Sequence, residues 1–232
     1  NNLDTAVSTS TDGGRSWSDG ILPFHFDDFA DNGQIFKEGS AVSVAGSAAF
    51  IDPALLEDRT IHSNGRIFIL VDAFPSATGT ATAQKGSGYT LIDGKKYLKL
   101  KKAGETEYLY TVRENNVIYD QNGAPTEYSL NGNFEVLKNG EPLTVKQKDI
   151  AYNNDTITTV TTEQDVAMNV MYDTSVFQVL RTSYLYLKYS DDQGKTWSDP
   201  VNLNGMVKSE DMGFLGVGPG RGIQIVNGEH QG

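Results

Sequence analysis

Residues 10–17 read Ser-Thr-Asp-Gly-Gly-Arg-Ser-Trp, and residues 190–197 repeat the pattern as Ser-Asp-Asp-Gln-Gly-Lys-Thr-Trp. Both copies fit S-x-D-x-G-x-[ST]-W, and Ser-Asp follows each of them. The positions that define the two boxes are Ser10, Asp12, Gly14 and Trp17, and Ser190, Asp192, Gly194 and Trp197. A repeat of this kind indicates supersecondary units that stack on a common core.

Each residue type in the box has a structural purpose. The aspartate can accept hydrogen bonds from backbone N–H groups inside a turn, and the glycine supplies a positive φ. The tryptophan can fold under the turn and pack between neighbouring strands. A calcium loop needs oxygen ligands at alternating positions and a closing glutamate, where these boxes have serine and tryptophan. We therefore predict two structural hairpin turns and no metal site.

Composition and charge exclude several classes of function. The 232 residues include 19 Lys or Arg against 30 Asp or Glu, which gives a formal net charge of −11. This acidity argues against nucleic acid and anionic membranes as partners. The absence of cysteine excludes disulfides and thiolate metal sites. The longest apolar run, residues 67–71, is too short to insert into a membrane.

The ends of the chain suggest that it is an internal piece of a longer protein. It does not begin with methionine, it carries no signal peptide, and both termini lie inside sequence patterns. We therefore expect further sequence on both sides.

The hydrophobic pattern is that of strands almost throughout. Residues 66–72 and 183–189 have the apolar and aromatic content of strands, whereas residues 53–58 form one helical turn at most. Asn-Gly and Asp-Gly pairs, which favour tight hairpins, recur at residues 32–33, 64–65, 93–94, 122–123, 139–140 and 227–228. The pattern predicts an all-β sandwich, barrel or propeller.

A central segment differs in charge from the rest. Residues 85–150 hold 10 Lys or Arg and 9 Asp or Glu, whereas the remaining chain holds 9 and 21. The Gly-, Ala-, Ser- and Thr-rich stretch at residues 76–88 would lead into this segment. We predict an inserted module; the alternative is a lysine-rich strand pair within a single domain. The predicted boundaries are residues 1–76, 77–162 and 163–232.

The boxes and four further regions resemble the bacterial exo-α-sialidases (neuraminidases), in which such boxes occur in β-propellers. The matching stretches are residues 2–7, residues 50–58 with 65–68 and 72–75, residues 110–119, and Phe-Leu-Gly-Val-Gly-Pro-Gly-Arg-Gly-Ile at residues 214–223. The resemblance implies a partial six-bladed β-propeller interrupted by a β-rich inserted domain.

The resemblance also implies an activity. Family members remove terminal sialic acid by hydrolysis or intramolecular transfer, using an arginine triad for the carboxylate, a tyrosine helped by a glutamate, and an acid/base aspartate. By resemblance these groups lie outside this chain, so we expect the isolated chain to be inactive. Sialylated glycans of glycoproteins or glycolipids are the expected partners, no cofactor is implied, and a bacterial protein that is secreted or attached to the cell surface is expected.

Two residues match the sugar-binding positions of the family. Asp52 matches the aspartate that accepts hydrogen bonds near the O4 hydroxyl, and Ile51 matches the residue beside the N-acetyl group. The alternative for Asp52 is a structural cap before Pro53. Arg221 is interpreted as a loop residue, and surface positions are predicted for the three histidines, His25, His62 and His230, which lack metal-site spacing.

Two other interpretations remain open. A non-catalytic box-containing propeller could bind glycans or proteins, and the sequences flanking this chain would distinguish it from an enzyme. Tyrosines of the central segment could stack on sugars, although tyrosines on strands more often pack within sheets. Those tyrosines are residues 89, 97, 108, 110, 119 and 128.

Overall fold

A computed structural model describes residues 3–30, 46–58, 65–153, 156–225 and 227–229. The strands are β1 (Thr5–Val7), β2 (Ile21–Phe24), β3 (Ala49–Asp58), β4 (Arg66–Phe74), β5 (Tyr89–Ile92), β6 (Lys95–Lys102), β7 (Tyr110–Val112), β8 (Val117–Tyr119), β9 (Pro125–Leu130), β10 (Val136–Lys138), β11 (Glu141–Pro142), β12 (Thr144–Asn153), β13 (Thr156–Ala167), β14 (Phe177–Val179), β15 (Tyr184–Ser190), β16 (Val201–Asn202) and β17 (Gly220–Arg221). The helices are a 3₁₀ turn (Glu114–Asn116) and α1 (Asn204–Val207). The predicted all-β class is confirmed.

The strands form four sheets. One has five strands in the order β16-β15-β4-β3-β17, and another has eight, in the order β11-β10-β9-β8-β7-β6-β14 with β5 also on β6. Two further sheets are the strand pairs β1–β2 and β12–β13. Every strand pair is antiparallel except β17 with β3. No helix among the described residues has the length and apolar content needed to cross a membrane.

The two strands predicted most clearly from the sequence lie side by side. β4 and β15 pair from Ala73 with Tyr184 to Ile67 with Ser190, although the whole central segment separates them along the chain. Ile69, Val71 and Ala73, every second residue of β4, are fully buried. The remaining β4 side chains are more exposed up to Leu70, while Asp72 and Phe74 are buried, so this strand is covered on both faces near its end.

Residues 53–58, for which the sequence allowed one helical turn at most, form no helix. Those residues continue β3, which shifts register against β4 between Ile51 and Ala54. Asp52 has a left-handed φ of 55° at this bulge. Because the bulge leaves Pro53 outside the hydrogen-bonded ladder, its missing N–H group costs no strand pairing.

An aromatic cluster joins the small β1–β2 sheet to the five-stranded sheet. The Phe26 ring stacks on Phe50 with 4.0 Å between centroids, and Phe24 lies 5.0 Å from Phe50. Tyr186 of β15 packs at 5.9 Å from Phe50 and at 5.1 Å from Phe134, which belongs to the central segment. This shared core connects three of the sheets.

The eight-stranded sheet is built mainly from the central segment. Residues 89–142 supply seven of its strands, and β14 adds Phe177–Val179 against Lys102–Leu100 of β6. Phe177 is buried and makes edge contacts with Tyr110 and Tyr128 at 5.2 and 5.1 Å. For these two tyrosines the contacts are those of sheet packing. The strand that returns to this sheet comes after residue 162; the domain limits themselves stay a prediction.

Candidate functional site

The first box forms a turn closed by its own side chains. Asp12 Oδ1 accepts hydrogen bonds from the Ser10 hydroxyl and from the backbone N–H of Ser16, each at 2.9 Å. The backbone N–H of Gly14 donates to Ser10 Oγ at 2.8 Å. The hydrogen bonds from Ser16 are the main reason that the pKa of Asp12 is lowered to about 2.

The second box has the same hydrogen bonds and one addition. Asp192 Oδ1 accepts from the Ser190 hydroxyl and from the Thr196 N–H, both at 2.8 Å, and the Thr196 hydroxyl lowers the pKa of Asp192 to about 2. Arg66 of β4 binds Asp191 through Nε at 2.6 Å and Nη2 at 2.8 Å. Its guanidinium also lies 4.0 Å from the Tyr189 ring centroid.

The two tryptophans differ in their surroundings. Trp197 is half-buried against the hydrophobic core, and its Nε1 donates to the Gly194 carbonyl at 3.2 Å. Trp17 also lies under its turn, against Gly14, but it is 65% exposed, so the predicted packing between neighbouring strands is wrong for the first box. Its indole borders an open surface pocket that is shared with Ile67 of β4 and with the second box.

The two predicted sugar contacts lie together at the bulge of β3. Ile51 is the cross-strand partner of Asp72, and Asp52 follows in the left-handed conformation, which aspartate tolerates better than most residues. Both Ile51 and Asp52 are partly exposed. The bulge therefore aims a carboxylate away from the regular ladder of β3.

The glycine-rich segment, predicted to be a family motif, runs beside this bulge. Gly220 and Arg221 pair in parallel with Ala54 and Leu55 of β3, and the Gly222 N–H donates to the Leu55 carbonyl at 2.7 Å. Arg221 is exposed. The segment thus covers the edge of β3 just after Asp52.

Asp72 was missed by sequence reasoning. It is fully buried on β4, and its Oδ1 accepts from the Val217 N–H at 2.8 Å. Burial, with a smaller contribution from the nearby charge of Asp52, raises the pKa of this carboxyl to about 6. Its Oδ2 is buried without a hydrogen-bond partner. The Ile-Leu-Val-Asp run at residues 69–72 contains the signal, an acid inside a buried strand.

Lys208 is a second residue that the sequence did not single out. Its buried Nζ donates to the Ser183 carbonyl at 2.9 Å and hydroxyl at 3.1 Å, to the Gly213 carbonyl at 3.1 Å and to Thr182 Oγ1 at 2.5 Å. Burial lowers the pKa of Lys208 to about 8. The Leu215 N–H also donates to Ser183 Oγ, at 3.0 Å. Together these bonds fasten the start of the glycine-rich segment to the start of β15.

His25 lies at the surface, as predicted, and its ring is placed between two carboxylates. Its Nδ1 is 2.7 Å from Asp4 Oδ2, and its Nε2 is 2.7 Å from Asp27 Oδ1. Hydrogen bonds to Asp27 and Asp4 raise the pKa of His25 to about 10. His62 and His230 lie outside the described residues. Within the described ranges no cluster of three or more acidic or histidine side chains is arranged to hold a metal ion.

Sequence comparison relates the chain to sialidases. No protein-family model matches it. It is 42% identical over 237 residues to an anhydrosialidase of Macrobdella decora, an alignment that covers 99% of this chain and 30% of the relative. It is 34% identical over 228 residues to sialidase B of Streptococcus pneumoniae, with coverage of 96% and 32%. The chain thus spans about a third of the length of these curated relatives.

Solved structures agree with the sequence relatives. An intramolecular trans-sialidase from Ruminococcus gnavus in complex with oseltamivir carboxylate superposes with a TM-score of 0.94 at 41% identity, over 99% of this chain and 47% of that one. A leech intramolecular trans-sialidase superposes with a TM-score of 0.93 at 39% identity, over 99% and 34%. The predicted relationship is confirmed, and the chain belongs to the sialidase family.

Proposed function

We propose that this chain forms the sugar-binding part of a sialidase catalytic domain, in a protein that cleaves terminal sialic acid from glycoproteins or glycolipids. The observation that carries the proposal is the bulge of β3, which presents Ile51 and Asp52 beside the glycine-rich segment. The chain's match to sialidases extends over both of these regions. Such glycans are displayed outside cells, so we propose that the protein acts there.

Asp52 would act by accepting a hydrogen bond from a sugar hydroxyl. A carboxylate is the strongest acceptor for a hydroxyl, and such charge-assisted bonds contribute about 1.5–3 kcal/mol. The bulge fixes the backbone on which this carboxylate sits, so little orientational freedom is lost when the sugar binds. Ile51 precedes it in the same bulge and would contact an apolar part of the substrate.

The bond-breaking step would be carried out by residues outside this chain. A substrate carboxylate beside the reacting carbon repels a carboxylate nucleophile, which is why sialidases use a tyrosine instead. None of the residues matched to the family here supplies that tyrosine, the acid/base aspartate or the arginine triad. The isolated chain is therefore expected to be inactive.

We propose intramolecular transfer as the first reaction to test. The anhydrosialidase and the intramolecular trans-sialidases match this chain at 39–42% identity, against 34% for sialidase B. In intramolecular transfer a hydroxyl of the sugar itself displaces the leaving group, whereas hydrolysis adds a water. The two sugar products therefore differ in mass by one water.

The test is fluorescence release from a 4-methylumbelliferyl sialoside by the full-length protein, with the sugar product weighed by mass spectrometry. Asp52→Ala is expected to lower kcat/KM by roughly 10- to 100-fold, the equivalent of one lost charge-assisted hydrogen bond. Asp93→Ala is the matched control, because Asp93 also has a left-handed φ, of 48°, but lies in the β5–β6 turn. This control should retain wild-type kinetics.

Each other outcome points elsewhere. A folded full-length protein without turnover would contradict the enzyme and favour a propeller that only binds glycans, to be sought on a glycan array. An unchanged kcat/KM in Asp52→Ala would support the sialidase activity but contradict the proposed contact between Asp52 and the sugar.

A further inference from the structure

Asp72 carries a carboxylate that the proposed chemistry does not use. It is fully buried on β4, directly across from Ile51, yet only one of its two oxygens has a hydrogen-bond partner. Buried polar atoms without partners are rare in native proteins because they cost stability. An apolar residue at this position would avoid that cost, so the carboxylate calls for an explanation beyond packing.

The partner of Asp72 belongs to the glycine-rich segment. Asp72 Oδ1 receives the Val217 N–H at 2.8 Å, which joins β4 to a residue far along the chain. The pairing of β3 with β4 is regular at Leu70, two residues before Asp72, and it bulges at Ile51 and Asp52. The Asp52 carboxylate is close enough for its charge to act on Asp72. Asp72 thus contacts both halves of the proposed sugar site.

Two further contacts show that the segment is fitted around this carboxylate. A methyl group on Gly216 would overlap both Asp72 Oδ2 and the Phe214 ring, so only glycine fits without movement. The Phe214 ring stacks in parallel on Phe74, with 6.1 Å between centroids and 5° between planes. The segment therefore docks on β4 through one hydrogen bond, one stacked ring and one obligatory glycine.

We propose that Asp72 is a positioning residue, which holds residues 214–217 against the Ile51–Asp52 bulge and so sets the affinity of the site for the sugar. The proposal rests on the proposed sialidase function. Asp72 acts through the Val217 backbone and through Ile51 rather than on the reacting atoms. Removing its acceptor oxygen loosens the segment, so substrate binding weakens while the bond-breaking step is spared.

The experiment compares KM and kcat of the full-length protein with a 4-methylumbelliferyl sialoside. Asp72→Ala removes the acceptor for the Val217 N–H and is expected to raise KM roughly tenfold, with kcat within about twofold of wild type. Asp72→Asn keeps one acceptor oxygen, so it should restore most of the affinity and raise KM only two- to threefold. This graded rescue is not expected of a residue that only fills space.

Asp28→Ala is the matched control. Asp28 is also a buried aspartate with one unpartnered oxygen, and burial raises its pKa to about 6 as well. Its other oxygen accepts from the Ala48 N–H and the Ser76 hydroxyl, away from the glycine-rich segment. Loss of this carboxylate should lower thermal stability and leave KM unchanged.

Gly216→Ala tests the same contact from the other side and covers the case in which Asp72→Ala fails to fold. Its methyl group should displace the segment and raise KM as Asp72→Ala does. Unchanged KM in Asp72→Asn and Gly216→Ala, or an equal rise in Asp28→Ala, would overturn the positioning role while leaving the sialidase intact. A wild-type protein that does not turn over the sialoside would overturn both proposals.

Discussion

The two boxes make the same turn in different surroundings. In each, an aspartate oxygen accepts hydrogen bonds at 2.8–2.9 Å from the serine hydroxyl two residues before it and from the N–H four residues after it. Yet Ser190 is 1% exposed and Trp197 packs on the core, while Trp17 is 65% exposed. The octapeptide therefore specifies the turn by itself, whereas the strands around it decide whether the turn contributes to the core.

The second box also has connections that the first one lacks. Arg66, on the neighbouring strand β4, donates two hydrogen bonds to the Asp191 carboxylate, whereas the corresponding position of the first box is Thr11. The first box closes the β1–β2 hairpin at the Val7–Ile21 end, whereas His25 and its two carboxylates lie beyond the Thr5–Phe24 pair at the other end. The same motif thus closes a hairpin of a five-stranded sheet in one place and of a two-stranded sheet in the other.

The largest expected difference between the boxes comes from their tryptophans. Trp197→Ala should lower the free energy of unfolding by about 2–3 kcal/mol, because it empties a half-buried site on the core. Trp17→Ala should change it by about 0.5 kcal/mol or less, as is usual for exposed positions. Urea unfolding of both variants measures the difference. Equal losses would mean that the first box is also packed.

The cluster around His25 predicts a pH dependence for the β1–β2 hairpin that carries the first box. The folded-state pKa is raised to about 10, so the stabilisation is complete below the unfolded value of about 6.5 and is lost as pH rises through about 10. The melting temperature of His25→Gln should therefore lie furthest below wild type at pH values under about 6.5, and the gap should narrow progressively above that pH and close near pH 10.

An NMR titration tests the same cluster directly. The chain has three histidines, so the His25 imidazole signal is identified by its loss in His25→Gln. An ordinary His25 pKa near 6.5 would contradict the role given to Asp4 and Asp27.

A smaller effect is expected from the arginine bridge of the second box. Arg66→Gln should lower the melting temperature slightly, because the pair is partly exposed and screened by solvent. The loss should shrink in high salt, since it is electrostatic. Arg15→Gln is the control, because that arginine lies in the first box and is exposed. A salt-independent loss would indicate that the stacking of Arg66 on Tyr189 matters more than its charge.

Much of the fold could be predicted because its signals are local. The boxes, the buried pattern of residues 66–72 and the Asn-Gly and Asp-Gly turns each depend on neighbouring residues, and the structure has turns or strands at the boxes, at residues 66–72 and at residues 93–94, 122–123 and 139–140. The turns predicted at residues 32–33 and at Asn64 lie outside the described residues. The bulge at Asp52 was the local exception. The sequence pattern left one helical turn open for residues 53–58, whereas pairing with β4 keeps the segment extended.

The supports of the site could not be predicted, because they join distant parts of the chain. Asp72 is hydrogen-bonded to Val217, and Lys208 to Ser183, and no spacing of residues in the sequence predicts these contacts. Exposure of Trp17 is of the same kind, since it depends on which strands lie beside β1 and β2. Sequence reasoning thus proposed Ile51 and Asp52 as sugar contacts but did not find the groups that lie against them.

The pairing of β4 with β15 has a consequence for the order of folding. Roughly 110 residues separate the end of β4 from the start of β15, so closing that loop from an unfolded chain carries a high entropic cost. The hairpins of the eight-stranded sheet need only short loops, and once formed they bring the chain back through β14 to just before β15. We expect the central sheet to form first during synthesis, while β4, already able to pair with β3 on one edge, keeps its other edge unpaired until β15 emerges.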